Sequence, residues 1–238
     1  MKNNMEKAQS NIVGKGLIAN AFFHLNNKGV IIFASGVSNS KSVIEEEYVK
    51  EKELLLHTIK QNPAFTMLVY FSTYSINDPE AAKTRYVRHK LEMEELIKQK
   101  LSKYLIIRTG NVVGKTTNPY TIMNFVYSKI VEKQTFELWS GAIRNVLDIE
   151  HLFQMVKYLL EKGIVNKTLY LVNPIDYKMT EIVHVFEKVL KLQAQLVNVN
   201  KGCHFNYERN LSNELFEILN ISSENYLTKL IEKYYLWK

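Results

Sequence analysis

The chain has 238 residues, with 31 Lys and Arg against 24 Asp and Glu, and 46% of its residues are hydrophobic. These values are close to those of globular proteins and exclude collagen-like, disulfide-scaffold and disordered classes. The one cysteine, Cys203, cannot form an intramolecular disulfide, and the opening segment MKNNMEKAQSN lacks the apolar core of a secretory signal. The apolar runs are far shorter than the roughly 18 residues of a membrane span. We therefore expect a cytoplasmic protein without a membrane partner.

The net charge of +7 raises the question of a nucleic-acid partner. Lysine supplies 26 of the 31 cations, and the lysines are interleaved with glutamate, as in EEEYVKEKE. That arrangement is typical of a solvated helix face rather than a surface that follows a phosphate backbone. We expect no nucleic-acid partner, although the excess charge can attract an anionic small molecule.

Short β-branched runs alternate with longer amphipathic segments, which predicts an α/β protein with a parallel sheet flanked by helices. The predicted strands are residues 10–13, 30–34, 65–71, 104–109 and 168–172. The predicted helices are residues 17–25, 48–60, 86–100, 122–132, 149–162, 180–190, 213–219 and 225–236. After about residue 172 the alternation weakens, so that the tail is predicted to be mainly helical.

Gly14, Gly16 and Ala19 form a G-x-G-x-x-A run between a short apolar stretch and an amphipathic segment. In a strand-to-helix turn, such glycines allow a tight bend and the close approach of a dinucleotide pyrophosphate. The phosphates then meet the positive end of the helix. The motif alone is weakly specific, and an ordinary turn is the alternative interpretation.

Tyr86 and Lys90 form a Y-x-x-x-K pair, one helical turn apart and so on one face. A lysine ammonium near a phenol favours the phenolate, so that the pair can act as acid or base at neutral pH. This spacing occurs four times in the chain, but Tyr86 follows a β-run that ends in Ser72 and Thr73. Open α/β sheets place their sites at the carboxyl ends of strands. Thr73 can there orient a substrate oxygen, and a turn or helix-capping role is its alternative.

In chain order, the sequence reads VGKGLIANAF, GVIIFASGVSNS, LVYFSTYSI, YVRHK, YLIIRTGNVVG and GAIRNVLDIEHLFQMVKYLL. This series, over roughly residues 10–235, resembles the extended short-chain dehydrogenase/reductase superfamily, in its NAD-dependent epimerase/dehydratase group that acts on nucleotide sugars. The resemblance implies a shortened Rossmann-like parallel sheet with flanking helices and a small, mostly helical C-terminal lobe. We assign residues 10–114 and 146–173 to the core, and residues 115–145 and 174–238 to a substrate-binding lobe.

The resemblance also implies roles for the matching residues. Contacts to NAD or NADP are implied for the glycine turn, two strand ends and the lysine: Gly14, Gly16, Leu17, Ile18, Ala34, Ser35, Gly36, Ser72 and Lys90. Thr73, Tyr86 and Lys90 match the catalytic Ser/Thr, Tyr and Lys, with Lys90 lowering the tyrosine pKa. Thr73, Asn111 and Arg144 fall at substrate-binding positions, where the guanidinium of Arg144 would hold a diphosphate.

Two departures from the family pattern concern the adenosine end of a dinucleotide. Only NNKG lies between residues 25 and 30, where the family has two further strand-and-helix units. Residues 8–43 contain no Asp or Glu, so the acidic residue that binds an adenosine ribose is absent. Adenosine would therefore lose a large part of its pocket.

Three other positions carry minor predictions. Asp148 is predicted to cap the helix that begins at Ile149. His89 lies between two cations in the sequence and is predicted to be a surface residue. The six histidines form no H-x-x-x-H motif, so no metal site is expected.

The leading hypothesis is a nucleotide-sugar-modifying enzyme of carbohydrate biosynthesis, of the epimerase, reductase or dehydratase type, with a Thr-Tyr-Lys acid-base site. The alternative is a cofactor-less binding or regulatory module that keeps the fold without redox catalysis. Acid-base chemistry without hydride transfer lies between the two. The resemblance further implies a homodimer paired through the helix that contains Tyr86.

Overall fold

The computed structural model describes residues 11–25, 29–37, 39–62, 65 and 67–236. The strands within these ranges are β1 (Ile12–Val13), β2 (Val30–Phe33), β3 (Met67–Thr73), β4 (Tyr104–Thr109), β5 (Asn111–Val113), β6 (Phe136–Trp139), β7 (Ile143–Asp148), β8 (Lys167–Leu171), β9 (Asp176–Lys178) and β10 (Leu196–Val199). The α-helices are α1 (Leu17–Ala21), α2 (Glu45–Gln61), α3 (Arg85–Lys100), α4 (Ile122–Val131), α5 (Ile149–Glu161), α6 (Met179–Leu190), α7 (Asn210–Ile218) and α8 (Tyr226–Tyr235).

The core is a five-stranded parallel sheet in the order β1-β2-β3-β4-β8. Every residue of β2 and β3 is buried, as expected for parallel strands covered on both faces. Alternate side chains serve two apolar layers. Ile31 and Phe33 pack in a layer with Leu55 of α2, whereas Ile32 packs in the opposite layer with Leu152 of α5. The structure confirms the predicted α/β architecture, with helices on both faces of a parallel sheet.

The sheet ends at β1, at the position where a complete dinucleotide-binding sheet would continue with further strands. Within the described residues, β1 pairs only with β2, and no strand stands between α1 and β2. In the complete order 3-2-1-4-5-6, the strand equivalent to β1 is central. The order β1-β2-β3-β4-β8 therefore corresponds to the sheet without its first two lateral strands, as the short connection at residues 26–29 predicts.

The predicted elements are present, with shifts at their ends. The segment Tyr104–Thr109 has the predicted bounds, and α1 ends at Ala21 instead of residue 25. Residues 10 and 66 of two predicted strands lie outside the described residues. Five strands were not predicted, namely β5, β6, β7, β9 and β10. They have three to six residues each and form a β5-β7-β9 sheet and a parallel β6–β10 pair.

The lobe assigned to residues 115–145 and 174–238 contains α4, α6, α7 and α8 and also the β6–β10 pair. Among the described residues, no helix combines the length and the apolar character that crossing a membrane requires. The side chains described also include no group of three or more His, Cys, Asp or Glu that could hold a metal ion.

Asp148 links α5 to α8. It caps α5 as predicted, because its Oδ1 accepts a hydrogen bond of 2.9 Å from the backbone N–H of Glu150. The same carboxylate accepts bonds from the hydroxyl of Tyr234 at 2.7 Å and from Nζ of Lys233 at 2.9 Å, both on α8. Asp148 is only 3% exposed, so its carboxylate depends on these donors.

We expect Asp148→Ala to lower the free energy of unfolding by about 2 kcal/mol, because it removes a cap and leaves the buried Tyr234 hydroxyl without its acceptor, whereas Lys233 keeps Glu150. Chemical denaturation measures this change. The control Glu150→Ala removes the exposed second partner of Lys233 and should cost at most about 1 kcal/mol. Equal losses in the two variants would contradict the role of Asp148.

Candidate active site

A cavity of about 1130 Å³ lies at the carboxyl ends of the first four core strands. Residues 34–37 after β2, residues 71–73 of β3 and residues 109–110 at the end of β4 all line it. The cavity brings together most of the predicted site residues, namely Gly16, Leu17, Ile18, Ala34, Ser35, Gly36, Ser72, Thr73, Tyr86 and Lys90. Residues that are far apart in the sequence therefore line one cavity; Gly16 and Ser72, for example, are 56 positions apart.

Gly14, Asn111 and Arg144 do not line this cavity. Gly14 has φ +133°, and a Cβ there would lie 2.5 Å from the carbonyl oxygen of Ala34, so only glycine fits the turn. Nδ2 of Asn111 donates to the carbonyl of Asn145 at 2.9 Å. Nη1 of Arg144 donates to the carbonyl of Ile143 at 2.9 Å. Asn111 and Arg144 are thus engaged on β5 and β7, outside the cavity lining.

The glycine turn offers space but little helix dipole. A Cβ at Gly16 would meet no atom within 4 Å, so a ligand can approach the backbone there. However, α1 has only five residues and therefore few aligned peptide dipoles. Positive charge at the cavity comes instead from Lys15 and Lys115, which are both exposed and line it. The turn fits the diphosphate of a dinucleotide, whereas the described residues place no strand beyond β1 to hold its adenosine.

Thr73 has the capping role that was the alternative prediction for it. Its Oγ1 accepts a hydrogen bond of 3.1 Å from the backbone N–H of Ser75 and so caps a short 3₁₀ turn. The Thr73 side chain also lowers the pKa of Tyr86. Its predicted role in orienting a substrate oxygen stays a prediction.

The ammonium of Lys90 is held by the protein. Its Nζ donates to Oε1 of Glu51 at 2.9 Å, to the hydroxyl of Tyr70 at 3.0 Å and to the carbonyl of Phe71 at 3.4 Å. It lies 5.9 Å from the ring centroid of Tyr86. Burial lowers the pKa of Lys90, but Tyr70 and Glu51 together raise it by a larger amount. The pKa of Lys90 therefore lies above its ordinary value. An ammonium has three donors, and each has an acceptor here.

Glu51 of α2 is the buried counter-charge of Lys90. Besides Lys90, it accepts the hydroxyl of Tyr70 at 2.8 Å and the backbone N–H of Val37 at 3.1 Å, and Nε2 of His89 lies 3.1 Å from its Oε2. Burial raises the pKa of Glu51, but the charge of Lys90 and the contact with His89 outweigh it and lower the pKa to about 2. Glu51 is therefore a carboxylate at neutral pH.

The pKa of Tyr86 is raised above its ordinary value of 10.0. Burial is the largest cause; the charge of Lys90 lowers the pKa, as predicted, but Glu51 raises it again. Lys90 thus acts on the Tyr86 pKa in the predicted direction, but burial outweighs its effect. At neutral pH Tyr86 is a protonated phenol and a proton donor.

His89 was predicted to be a surface residue, and this was wrong, because it is 1% exposed and packs on Tyr48 with ring centroids 5.0 Å apart. Glu51 was not predicted at all. A signal for it exists in the sequence, since Tyr48, Glu51, Leu55 and Thr58 recur at spacings of 3, 4 and 3 on one helix face and are all buried. A carboxylate in such an apolar series indicates a buried partner.

Thr109 is a second residue that the sequence did not single out. It is the register partner of Thr73, lines the cavity and is 5% exposed. Its Oγ1 has no hydrogen-bond partner among the described residues. A buried hydroxyl that loses its hydrogen bonds to water and gains no other partner lowers the stability of the folded protein.

We expect Thr109→Val to raise the free energy of unfolding by about 1 kcal/mol, because a methyl group replaces a hydroxyl without a partner. Thr58→Val is the matched control, since the Thr58 hydroxyl is buried and donates to the carbonyl of Leu54 at 2.7 Å. The control should lower the free energy of unfolding by about 0.5–1 kcal/mol. Urea denaturation measures both changes, and a loss in Thr109→Val would contradict the assignment.

The lowered pKa of Glu51 predicts a loss of stability in acid. Because its pKa is about 2 in the folded protein against an ordinary 4.5, its contribution is complete above pH 4.5 and is lost as the pH falls towards 2. That contribution is about 3 kcal/mol. We expect the free energy of unfolding to fall by about this amount more in the wild type than in Glu51→Gln between pH 7 and about 2.

Urea denaturation across the pH range measures this difference. Glu53→Gln alters an exposed carboxylate on the same helix and should keep the wild-type pH dependence. If the free energy of unfolding of Glu51→Gln depended on pH as it does in the wild type, Glu51 would not be the acid-sensitive group.

Comparison with known proteins places the fold. No protein-family profile and no curated protein matches the sequence. Among solved structures, the chain is similar to a UDP-glucose-4-epimerase from Stenotrophomonas maltophila with bound NAD and formylated UDP-arabinopyranose, at 14% identity and a TM-score of 0.69, over 88% of this chain and 75% of that one.

Two further structures extend the comparison. RMD from Pseudomonas aeruginosa, complexed with NADPH, matches at 15% identity and a TM-score of 0.69, over 90% of this chain and 82% of that one. A dTDP-glucose 4,6-dehydratase from Bacillus anthracis, in complex with NAD, matches at 16% identity and a TM-score of 0.62, over 86% and 71%. The chain thus has the Rossmann-like fold of NAD-dependent nucleotide-sugar epimerases and dehydratases, in a shortened form.

Proposed function

We propose that the protein is a nucleotide-sugar-modifying enzyme of the epimerase, reductase or dehydratase type that acts in carbohydrate biosynthesis. The observation that carries the proposal is the meeting of Thr73, Tyr86 and Lys90 in the cavity at the carboxyl ends of the sheet. The substrate class is supported by the Stenotrophomonas epimerase of the same fold, which holds a UDP-sugar and NAD. Cytoplasmic location and a homodimer remain predictions.

NAD or NADP is the cofactor that the cavity would hold. Gly16, Leu17 and Ile18 of the turn would contact its diphosphate, and residues 34–36 would lie along the ribose and nicotinamide. When bound, the nicotinamide would supply or accept a hydride. The adenosine would extend past β1 towards solvent, which predicts weaker binding than in a complete sheet.

The chain's own residues would perform the proton transfer. Tyr86 is protonated at neutral pH and would donate its proton to a sugar oxygen, with the Thr73 hydroxyl orienting that oxygen. Lys15 and Lys115 would attract the diphosphate. Asn111 and Arg144 would reach the substrate only if its nucleotide extends past the cavity towards β5 and β7.

We expect Tyr86→Phe to lower kcat by at least 100-fold and to leave the Kd for the nucleotide sugar within about threefold, because it removes the proton and little else. Isothermal titration with NAD⁺, NADP⁺ and UDP-, GDP-, CDP- and dTDP-sugars identifies the ligands for the turnover assay. Tyr158→Phe is the matched control, since Tyr158 also has a lysine four residues on but does not line the cavity. Unchanged turnover in Tyr86→Phe would refute the assignment.

The second candidate is a binding or regulatory module without a cofactor. The two-residue edge strand β1 and the five-residue α1 favour it, because both belong to the dinucleotide half of the site. The same titration separates the candidates. A nucleotide sugar that binds while NAD⁺ and NADP⁺ do not would support the module, or acid-base chemistry without hydride transfer.

A further inference from the structure

The cavity wall contains a buried charge cluster that joins Lys90 of the proposed site to Glu51, a residue to which the proposed function gives no role. Glu51 is 4% exposed and Lys90 is 5% exposed, and Tyr70 is completely buried beside them. The carboxylate of Glu51 contacts three other segments, namely Val37 in the loop after β2, Tyr70 on β3, and His89 with Lys90 on α3. All three segments contribute residues to the cavity lining, although Tyr70 and His89 themselves do not line it.

We infer that Glu51 is a positioning residue of the proposed active site: it holds the Lys90 ammonium against β3 and offsets its charge, so that the three Lys90 donors stay with the protein and Lys90 acts on Tyr86 only through space. This inference rests on the proposed function, because it assigns Glu51 a part in the same acid-base site. It deepens that function by naming the group that holds Lys90 in place.

The hydrogen bonds explain why Lys90 acts on Tyr86 only through space. Its three donors face Glu51, Tyr70 and the carbonyl of Phe71. The Tyr70 hydroxyl donates to Glu51 and so presents its oxygen lone pairs to Lys90. A ligand hydroxyl could bind the ammonium only by displacing one of these acceptors. The lysine is therefore a fixed charge in the wall of the cavity.

The charges around Tyr86 give the direction of the effect. The groups that face it are Lys90 on its own helix, Glu51 and Tyr48 on α2, and the Thr73 hydroxyl on β3. Lys90 favours the phenolate and Glu51 opposes it. Removing the negative charge at Glu51 leaves the positive charge of Lys90 uncompensated, which must favour the phenolate.

The test measures the pKa of Tyr86 in the full chain without ligand. Carbon-13 labelling of tyrosine Cζ gives an NMR titration for each ring, and Tyr86→Phe assigns the signal. We expect a pKa above 10 in the wild type and a lower pKa in Glu51→Gln, because Lys90 then acts on Tyr86 without its counter-charge. A Tyr86 pKa that is the same in both proteins would overturn the inference.

Glu53→Gln provides the matched control, because it makes the same change at an exposed position of α2. Its Tyr86 signal should titrate as in the wild type. No ligand is present in these titrations. An absence of nucleotide-sugar binding would thus count against the proposed function only, whereas an unmoved Tyr86 pKa would count against the role of Glu51 only.

Tyr70→Phe tests the same contact without changing a charge, and so remains informative if Glu51→Gln does not fold. It removes one acceptor of Lys90 and one donor to Glu51. We expect the ammonium protons of Lys90, observed by nitrogen-15 NMR, to exchange with water at least tenfold faster than in the wild type. Exchange at the wild-type rate would overturn the inference.

Discussion

A buried carboxylate must be paired, and this requirement governs the wall of the active site. An ion taken out of water is stabilised only by a close counter-charge and by hydrogen bonds to its remaining lone pairs. Glu51 meets this requirement with contacts from three segments besides its own helix, so that α2, α3, β3 and the loop after β2 have one arrangement that satisfies it. Burial of the apolar layers drives these elements to pack together. The contacts of the Glu51 carboxylate then fix their arrangement around the cavity.

The two ends of the site differ in how completely they are built. At the tyrosine end, Thr73 and Lys90 are held by hydrogen bonds within the protein. At the glycine end, a five-residue helix and an edge strand leave the turn open. Under the proposed function, proton transfer would depend on fixed donors, whereas exposed lysines could hold a phosphate, so the shortened half would limit affinity more than chemistry.

The sequence predicted the secondary structure correctly where the local residue pattern matches the burial of the segment in the fold. The bounds of the segment Tyr104–Thr109 were predicted correctly, because a short run rich in β-branched residues is typical of a buried strand in a parallel sheet. The three-residue strands β5 and β9 depend on pairing with β7, which no local pattern encodes. His89 was misplaced because its sequence neighbours are cations, although it shares a helix face with the buried Met93, four residues further on. The pKa of Tyr86 depends on Glu51, which is distant in the sequence.

The position of β8 in the sheet has a consequence for how the protein folds. β8 pairs with β4, yet residues 110–166, which include β5, α4, β6, β7 and α5, lie between them in the sequence. Bringing such distant strands together costs loop-closure entropy before any contact repays it, and topologies of this kind fold slowly. The sheet therefore cannot be completed during synthesis until residue 171 has left the ribosome, and until then β4 has an unpaired edge.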